Sequence, residues 1–374
     1  VRGSFFWFAV ISFVSVTGCK VAPAINVTQP VSDDMAVIAS QNAFNGIAAE
    51  YPGISATVFE KGKMIWTSSI GFADRTKKTA VTKDTLFNIY STSKALTGFA
   101  FARLIEKGKI RADQTIAQLV PDLPTALHSI SVSDILSHRS GIRHYNSPKD
   151  WLEFANRKCR HPSDAVAYFK SDPLVHKPGD KETYSTFAFV LASEVLMRVT
   201  GANDFETALN NSLGHWADFE LDGSSAEKAA MFIDPRILPG ARITDSLPDI
   251  VPMPPLSAEC KFGGGGILAS SYQLARAGAA FVGGEIIPKD RIKAGLRSSS
   301  KPSSIVYGGA ISYKTIEDES ILSYQLSGGA PGGRSYLLIL FEPEIVVAIT
   351  GNVDGPNMDK TARQMAKIWF KRNR

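Results

Sequence analysis

The order of its patterns constrains this chain most: β-rich runs at both ends enclose a long helical middle. Near the start, ISATVFE (54–60) and MIWTSSIGF (64–72) flank Lys61-Gly62-Lys63 and read as a hairpin. Near the end, Ile305–Tyr313, Ser320–Gln325, Tyr336–Leu340 and Ile345–Thr350 carry the β-branched and aromatic residues of strands. Roughly 110–300 shows mostly helical patterns and long loops with Pro and Gly. A helix through Ala36, Ile38, Phe44 and Ile47 precedes the hairpin and stops before Pro52-Gly53. A basic amphipathic helix through Ala362, Met365, Ile368 and Trp369 closes the chain. These patterns predict an α+β fold: one sheet assembled from both termini, flanked by helices, with a helical insertion. No internal repeat occurs at a fixed period. At 374 residues, one large domain or two intimately joined ones are expected.

The first residues fit no such fold. Arg2 precedes an apolar run from Phe5 to Val16, the arrangement of a secretory leader, and the run is too short to span a bilayer comfortably. Val16-Thr17-Gly18-Cys19 resembles a lipobox, so residues 1–18 are expected to be a signal peptide and Cys19 to be lipidated. Residues 19–34, with Pro23, Asn26, Pro30 and Ser32, read as a tether. Residues 35–374 would then form the folded domain on the periplasmic side of a bacterial membrane. In an oxidising compartment Cys159 and Cys260 are free to pair, although their spacing does not require it. The net charge of +5 is spread thinly along the chain, which argues against nucleic acid as a partner. No segment beyond the leader is long and apolar enough to cross a membrane.

Chemistry concentrates first at Ser91-Thr92-Ser93-Lys94. From Ser91 to Lys107 the spacing predicts a helix, with Leu96, Phe99, Ala100 and Leu104 on one face and Gly108 as its stop. Residues three apart on a helix share a side, so Ser91 and Lys94 can meet. A buried lysine loses basicity and can accept the serine proton. Helix-terminal N–H groups favour an oxyanion at the same place. Taken alone, the tetrapeptide is read first as a helix cap and a surface lysine.

The wider segment FNIYSTSK (87–94) resembles the nucleophile segment of the class C β-lactamase-like serine hydrolases. These include low-molecular-weight penicillin-binding proteins, some esterases and D-aminopeptidases. Ser131–Ile142, ending His138-Arg139-Ser140-Gly141, is similar to that family's structural segment. The resemblance implies a β-lactamase/transpeptidase-like fold with an antiparallel sheet and an all-helical insertion. It also implies a Ser91 acyl-enzyme formed on an amide or ester, with no cofactor and no metal. Pro178-Gly179 with Tyr184-Ser185-Thr186 is similar to the second motif, a Tyr-x-Asn entering a helix, here about Ser185–Thr200 with Gly201 as its stop. Tyr184 would then be general base and acid, and Thr186 stands where the family has Asn. Leu326-Ser327-Gly328-Gly329 matches the third motif, where Lys or His is expected in place of Leu326. Ser327 and Gly328 keep the hydroxyl and close backbone approach, and Gly329 N–H would join Ser91 N–H in an oxyanion hole. Gly263–Gly266 resembles the family's glycine turn near the site.

Two other patterns are decoys. GGAPGGRS (328–335) nearly matches a phosphate-binding loop, but it leads into a strand where such a loop must enter a helix. His138 and His144 lack a third metal ligand at a recognisable spacing. The sequence thus predicts a hydrolase of a small-molecule or peptide substrate, including peptidoglycan-derived ones. The alternative is a catalytically impaired lipoprotein that binds penicillin, muropeptides or partners, motivated by Leu326 and Thr186.

Overall fold

The computed structural model describes residues 34–74, 77–221, 232–233, 251–252, 258–292, 303–316 and 319–372. The expected leader, Cys19 and the tether up to Ser32 lie outside the described residues. Asp34 caps helix α1 (Met35–Ala48), its carboxylate accepting from Ala36 N–H. The hairpin follows as β1 (Gly53–Glu60) and β2 (Lys63–Asp74), then β3 (Thr79–Ala80). Strand β4 (Phe87–Asn88) enters a 3₁₀ turn, Tyr90–Thr92, and then α2 (Ser93–Glu106). The middle holds α3 (Ile116–Leu119), α4 (Val132–Leu136), α5 (Pro148–Ala155), α6 (Pro162–Val166), α7 (Thr186–Thr200) and α8 (Phe205–Leu213). Short strands β5 (Glu220–Leu221), β6 (Phe232–Ile233), β7 (Val251–Pro252) and β8 (Ile267–Ala269) come next, before α9 (Ser271–Gly283). The chain ends with β9 (Ser303–Val306), β10 (Gly309–Ile316), β11 (Glu319–Ala330), β12 (Gly333–Leu340), β13 (Ile345–Gly351) and α10 (Asp359–Arg372).

Both termini build one antiparallel sheet in the order β3-β2-β1-β13-β12-β11-β10-β9. The seam is β1 against β13, with Ile54 opposite Gly351 and Glu60 opposite Ile345. Every residue of β13 is buried, because both sheet faces are covered. On one face α1 and α10 pack against each other and cover Val58, Trp66, Leu338, Val347 and Ile349. On the other, α2, α7 and α9 form the larger core around Phe99, Phe189, Phe281 and Leu337. Each such side chain contributes about 1.5–3 kcal/mol through burial, so alternating residues of one strand tie the sheet to both layers.

Three details depart from the sequence reading. The single strand expected over Ile305–Tyr313 is two strands, because Tyr307 (φ 50°) and Gly308 (φ 82°) turn the chain. The helical middle also carries a small ladder, β4-β8-β5, which fixes the approach to Ser91. The helix expected from Ser91 begins instead as the 3₁₀ turn, with its α-helical part starting at Ser93. No helix among the described residues is long and apolar enough to cross a membrane.

Candidate active site

Ser91 is held by a strained turn. Tyr90 has φ 45°, a left-handed conformation that costs a non-glycine residue about 1–2 kcal/mol. Its N–H donates to Asn88 Oδ1 (3.0 Å) and its hydroxyl to the Pro331 carbonyl (2.9 Å). Behind the turn, Ser335 Oγ donates to the Ile89 carbonyl (2.7 Å) and lies 2.8 Å from Thr92 Oγ1. Strand β11 passes so close that a Cβ on Gly328 would fall 2.0 Å from the Ile89 carbonyl oxygen. Only glycine fits there. Its neighbours Ser327 and Gly329 are exposed beside the same turn, and Leu326 is half-buried against the helical core.

Lys94 follows one turn later and is fully buried. Its Nζ donates to the Gly264 carbonyl (2.5 Å), to Ser91 Oγ (3.1 Å) and to Thr186 Oγ1 (3.4 Å). These three contacts match the three donors of an ammonium. Gly264 ends a 3₁₀ segment, Glu259–Gly264, packed against α7 and α2. A Cβ on Gly264 would lie 2.8 Å from the Thr186 carbonyl, so glycine lets this carbonyl approach Lys94. Cys260 in the same segment is bonded to Cys159, with Cα atoms 5.1 Å apart. The disulfide that the spacing left open is formed.

Tyr184 completes the group, its Oη 2.5 Å from Ser91 Oγ. Lys94 Nζ lies 4.9 Å from the Tyr184 ring centre. Ser185 caps α7, accepting from Ala188 N–H, and this places Thr186 over Lys94. At the other end Gly201, at φ 67°, stops the helix where the sequence predicts. Burial holds Lys94 below the ordinary lysine range, although Tyr184 opposes that shift. Burial would raise the Tyr184 hydroxyl. The Lys94 charge and hydrogen bonds from Lys94, Ser91 and Thr186 outweigh it, leaving the phenol below its usual range. Both shifts bring a base within reach of the Ser91 proton.

Two histidines bracket Tyr184, a role that sequence reasoning missed. The His138 ring lies tilted, 4.6 Å from the tyrosine ring, and His144 meets it edge-on at 5.1 Å. His138 Nδ1 accepts from Ser185 N–H (3.2 Å), and His144 Nδ1 from Thr186 N–H (3.3 Å). An accepting Nδ1 carries no proton, so both rings are neutral with the proton on Nε2. Burial, then Lys94 and His144, push His138 down to about 3. Burial, then Lys94 and Lys261, push His144 down to about 4. The two histidines thus steady the start of α7 and the ring of Tyr184 without adding charge. Among the described residues, no cluster of three His, Cys, Asp or Glu side chains could hold a metal ion. The GGAPGGRS segment is the β11–β12 hairpin with Gly332 at φ 91°, and no helix follows it.

A serine, a buried lysine and a tyrosine converging on one hydroxyl, beneath a sheet built from both chain ends, define the serine hydrolase-like class with the β-lactamase/transpeptidase fold. The chain belongs to the Beta-lactamase family, whose sequence model matches residues 40–368. Among curated proteins it is similar to the human mitochondrial serine beta-lactamase-like protein LACTB, at 26% identity over 40% of this chain and 40% of that one. The match thus spans less than half the length of that relative. Among solved structures it superposes on FmtA from Staphylococcus aureus with a TM-score of 0.72, 18% identity and 94% of each chain covered. It also superposes on D-amino acid amidase from Ochrobactrum anthropi SV3, with a TM-score of 0.70 and 17% identity, covering 91% of this chain and 99% of the amidase. At these identities the structural likeness shows the fold.

Proposed function

We propose that this protein is a serine hydrolase that cleaves an amide or ester through an acyl-enzyme on Ser91. One observation carries the reading: Ser91 Oγ lies between Tyr184 Oη (2.5 Å) and Lys94 Nζ (3.1 Å), two groups with depressed basicity. Ser91 Oγ bonds to the carbonyl carbon as its proton passes to the Tyr184–Lys94 pair. The negative charge on the carbonyl oxygen faces Ser91 N–H and Gly329 N–H. Collapse breaks the bond to the leaving amine or alcohol, which takes the proton from Tyr184. Water, deprotonated by the same pair, then releases the acid and restores Ser91.

A D-amino-acid amide or peptide, a β-lactam and a small ester all suit this chemistry. Intact mass of the soluble domain after a fluorophosphonate probe tests the reading. A single adduct is expected in the wild type and none in Ser91→Ala; an adduct of equal yield in a folded Ser91→Ala protein would falsify it. Leu326 favours a second reading, a binding protein without useful turnover, because a conventional third-motif cation is missing. Hydrolysis that appears only in Leu326→Lys would support that alternative. We propose further that Cys19 carries lipid on the outer side of the cytoplasmic membrane. In cells fed labelled palmitate, label should appear in the full chain and vanish in Cys19→Ala.

A further inference from the structure

The third-motif position that would carry a cation is Leu326, yet another cation lies beside the nucleophile. Lys261 sits in the 3₁₀ segment whose end holds Lys94, one residue after disulfide-bonded Cys260. Its side chain is only 6% exposed. A Cβ built on Gly265 would lie 3.4 Å from Lys261 Cδ and 3.6 Å from the carbonyl carbon of Tyr90. The lysine stem and the Tyr90 carbonyl carbon therefore both border Gly265, each at ordinary van der Waals distance from a Cβ built there. The ammonium ends over two aromatic faces, 5.5 Å from the ring centre of Tyr90 and 5.3 Å from that of Trp151. Lys261 also lowers the basicity of His144, whose ring meets Tyr184 edge-on.

Resting on the acyl-enzyme reading, we propose that Lys261 is a specificity-determining residue that binds a carboxylate on the acyl portion of the substrate. The acyl portion is assigned because the Lys261 ammonium lies over the ring of Tyr90, next in the chain to the serine that would hold the acyl group. In a site screened from water, an ionic hydrogen bond gains strength. The segment that orients Lys94 through Gly264 thereby also positions the cation that selects the substrate.

The test compares two 4-nitrophenyl esters with five-carbon acyl chains, the anionic hemiglutarate and the neutral pentanoate. The wild type is expected to favour the anionic ester, read as the ratio of the two kcat/KM values. Lys261→Met, which keeps most of the stem, should lower that ratio roughly tenfold or more. Lys261→Arg should preserve it, and Lys261→Glu should invert it. A ratio unchanged in both Lys261→Met and Lys261→Glu overturns the assignment, as does a wild type without preference. Fluorophosphonate labelling of Ser91 separates the two failures. Labelling with no charge preference removes only the role of Lys261. A wild type that takes no label and cleaves neither ester removes the hydrolase reading and this one together.

Discussion

The two walls of the cleft are built on opposite principles. On the helical wall Ser91, Lys94, Tyr184 and Thr186 form one hydrogen-bonded group around a fully buried lysine, and each group sets the basicity of the next. On the strand wall, Leu326 is apolar, Ser327 and Gly329 face solvent, and nearby Arg334 is ion-paired with Asp354. The difference teaches how such a site tolerates change. Groups coupled in a low-dielectric interior cannot be altered one at a time, because each compensates a neighbour. A strand that offers backbone N–H groups can lose a side-chain cation and keep its donors. In the proposed mechanism the helical wall activates Ser91 and, through Lys261 in its 3₁₀ segment, selects the substrate, while the strand wall supplies backbone donors.

The sharpest way to break this contrast is Ser91→Ala. Turnover should fall on the order of 10⁴-fold or more, with unfolding by denaturant little changed, since the turn is held by Tyr90, Thr92 and Ser335. Tyr184→Phe should cost on the order of 10²–10⁴-fold in kcat with a smaller change in KM. It should also reshape the acidic limb of the pH–rate profile: with both groups fully protonated at low pH, the wild type has no base for Ser91. If Tyr184→Phe keeps full kcat, Lys94 acts alone and the coupled picture fails.

Stability probes the same wall from outside. Cys159 and Cys260 close a loop with a sequence separation of 101, and replacing both by Ser should cost about 2–4 kcal/mol. Because Cys260 lies in the segment that supplies the Gly264 carbonyl to Lys94, kcat should fall as well. Chemical denaturation and steady-state rates under non-reducing conditions check both points. An unaltered kcat would show that the segment holds its place without the bond.

Acid should weaken the helical wall before the strand wall. His138 is fully buried and its folded value of about 3 lies below the ordinary 6.5. The unfolded chain therefore binds more protons, and stability is lost as pH falls from about 6.5 toward 3. From pH 6.5 to 5 this amounts to about 2 kcal/mol for His138 alone, with His144 acting in the same direction. In His138→Phe, the dependence of the denaturation midpoint on pH over that interval should flatten. The smallest effect is expected from Leu326→Lys on the strand wall: at most about tenfold in kcat/KM, from one charge–charge contact at a partly exposed position. Equal loss of activity from Leu326→Lys and Tyr184→Phe would dissolve the distinction between the walls.

Legibility in the sequence followed the range of the interactions. Ser91 and Lys94 were readable because three-residue spacing on a helix joins their side chains. Tyr184 and Thr186 were readable through their resemblance to the family's second motif, with Pro178-Gly179 before it and a helix ending at Gly201 after it. The strand through Leu326–Gly329 was found in place, though it runs to Ala330 and not only to Gln325 as its alternation suggests. The Gly264 carbonyl could not be read, since every residue carries a carbonyl and only its approach to Lys94 distinguishes this one. The bracketing of Tyr184 by His138 and His144 was equally hidden. His138 lies in the segment that resembles the family's structural turn and His144 just beyond it, but nothing local aims either ring at Tyr184.

By itself the sequence determined the terminal strands and helices, the stop of α7 at Gly201, the serine–lysine spacing and the resemblance to the family. Each of these depends on periodicity or on residues close along the chain. Tertiary structure alone decided that β1 pairs with β13, that Cys159 meets Cys260, that Gly264 faces Lys94, and that Lys261 lies beside the Tyr90–Ser91 peptide. Those contacts join residues far apart in the chain, where geometry is set by the packing of whole layers and not by local preference.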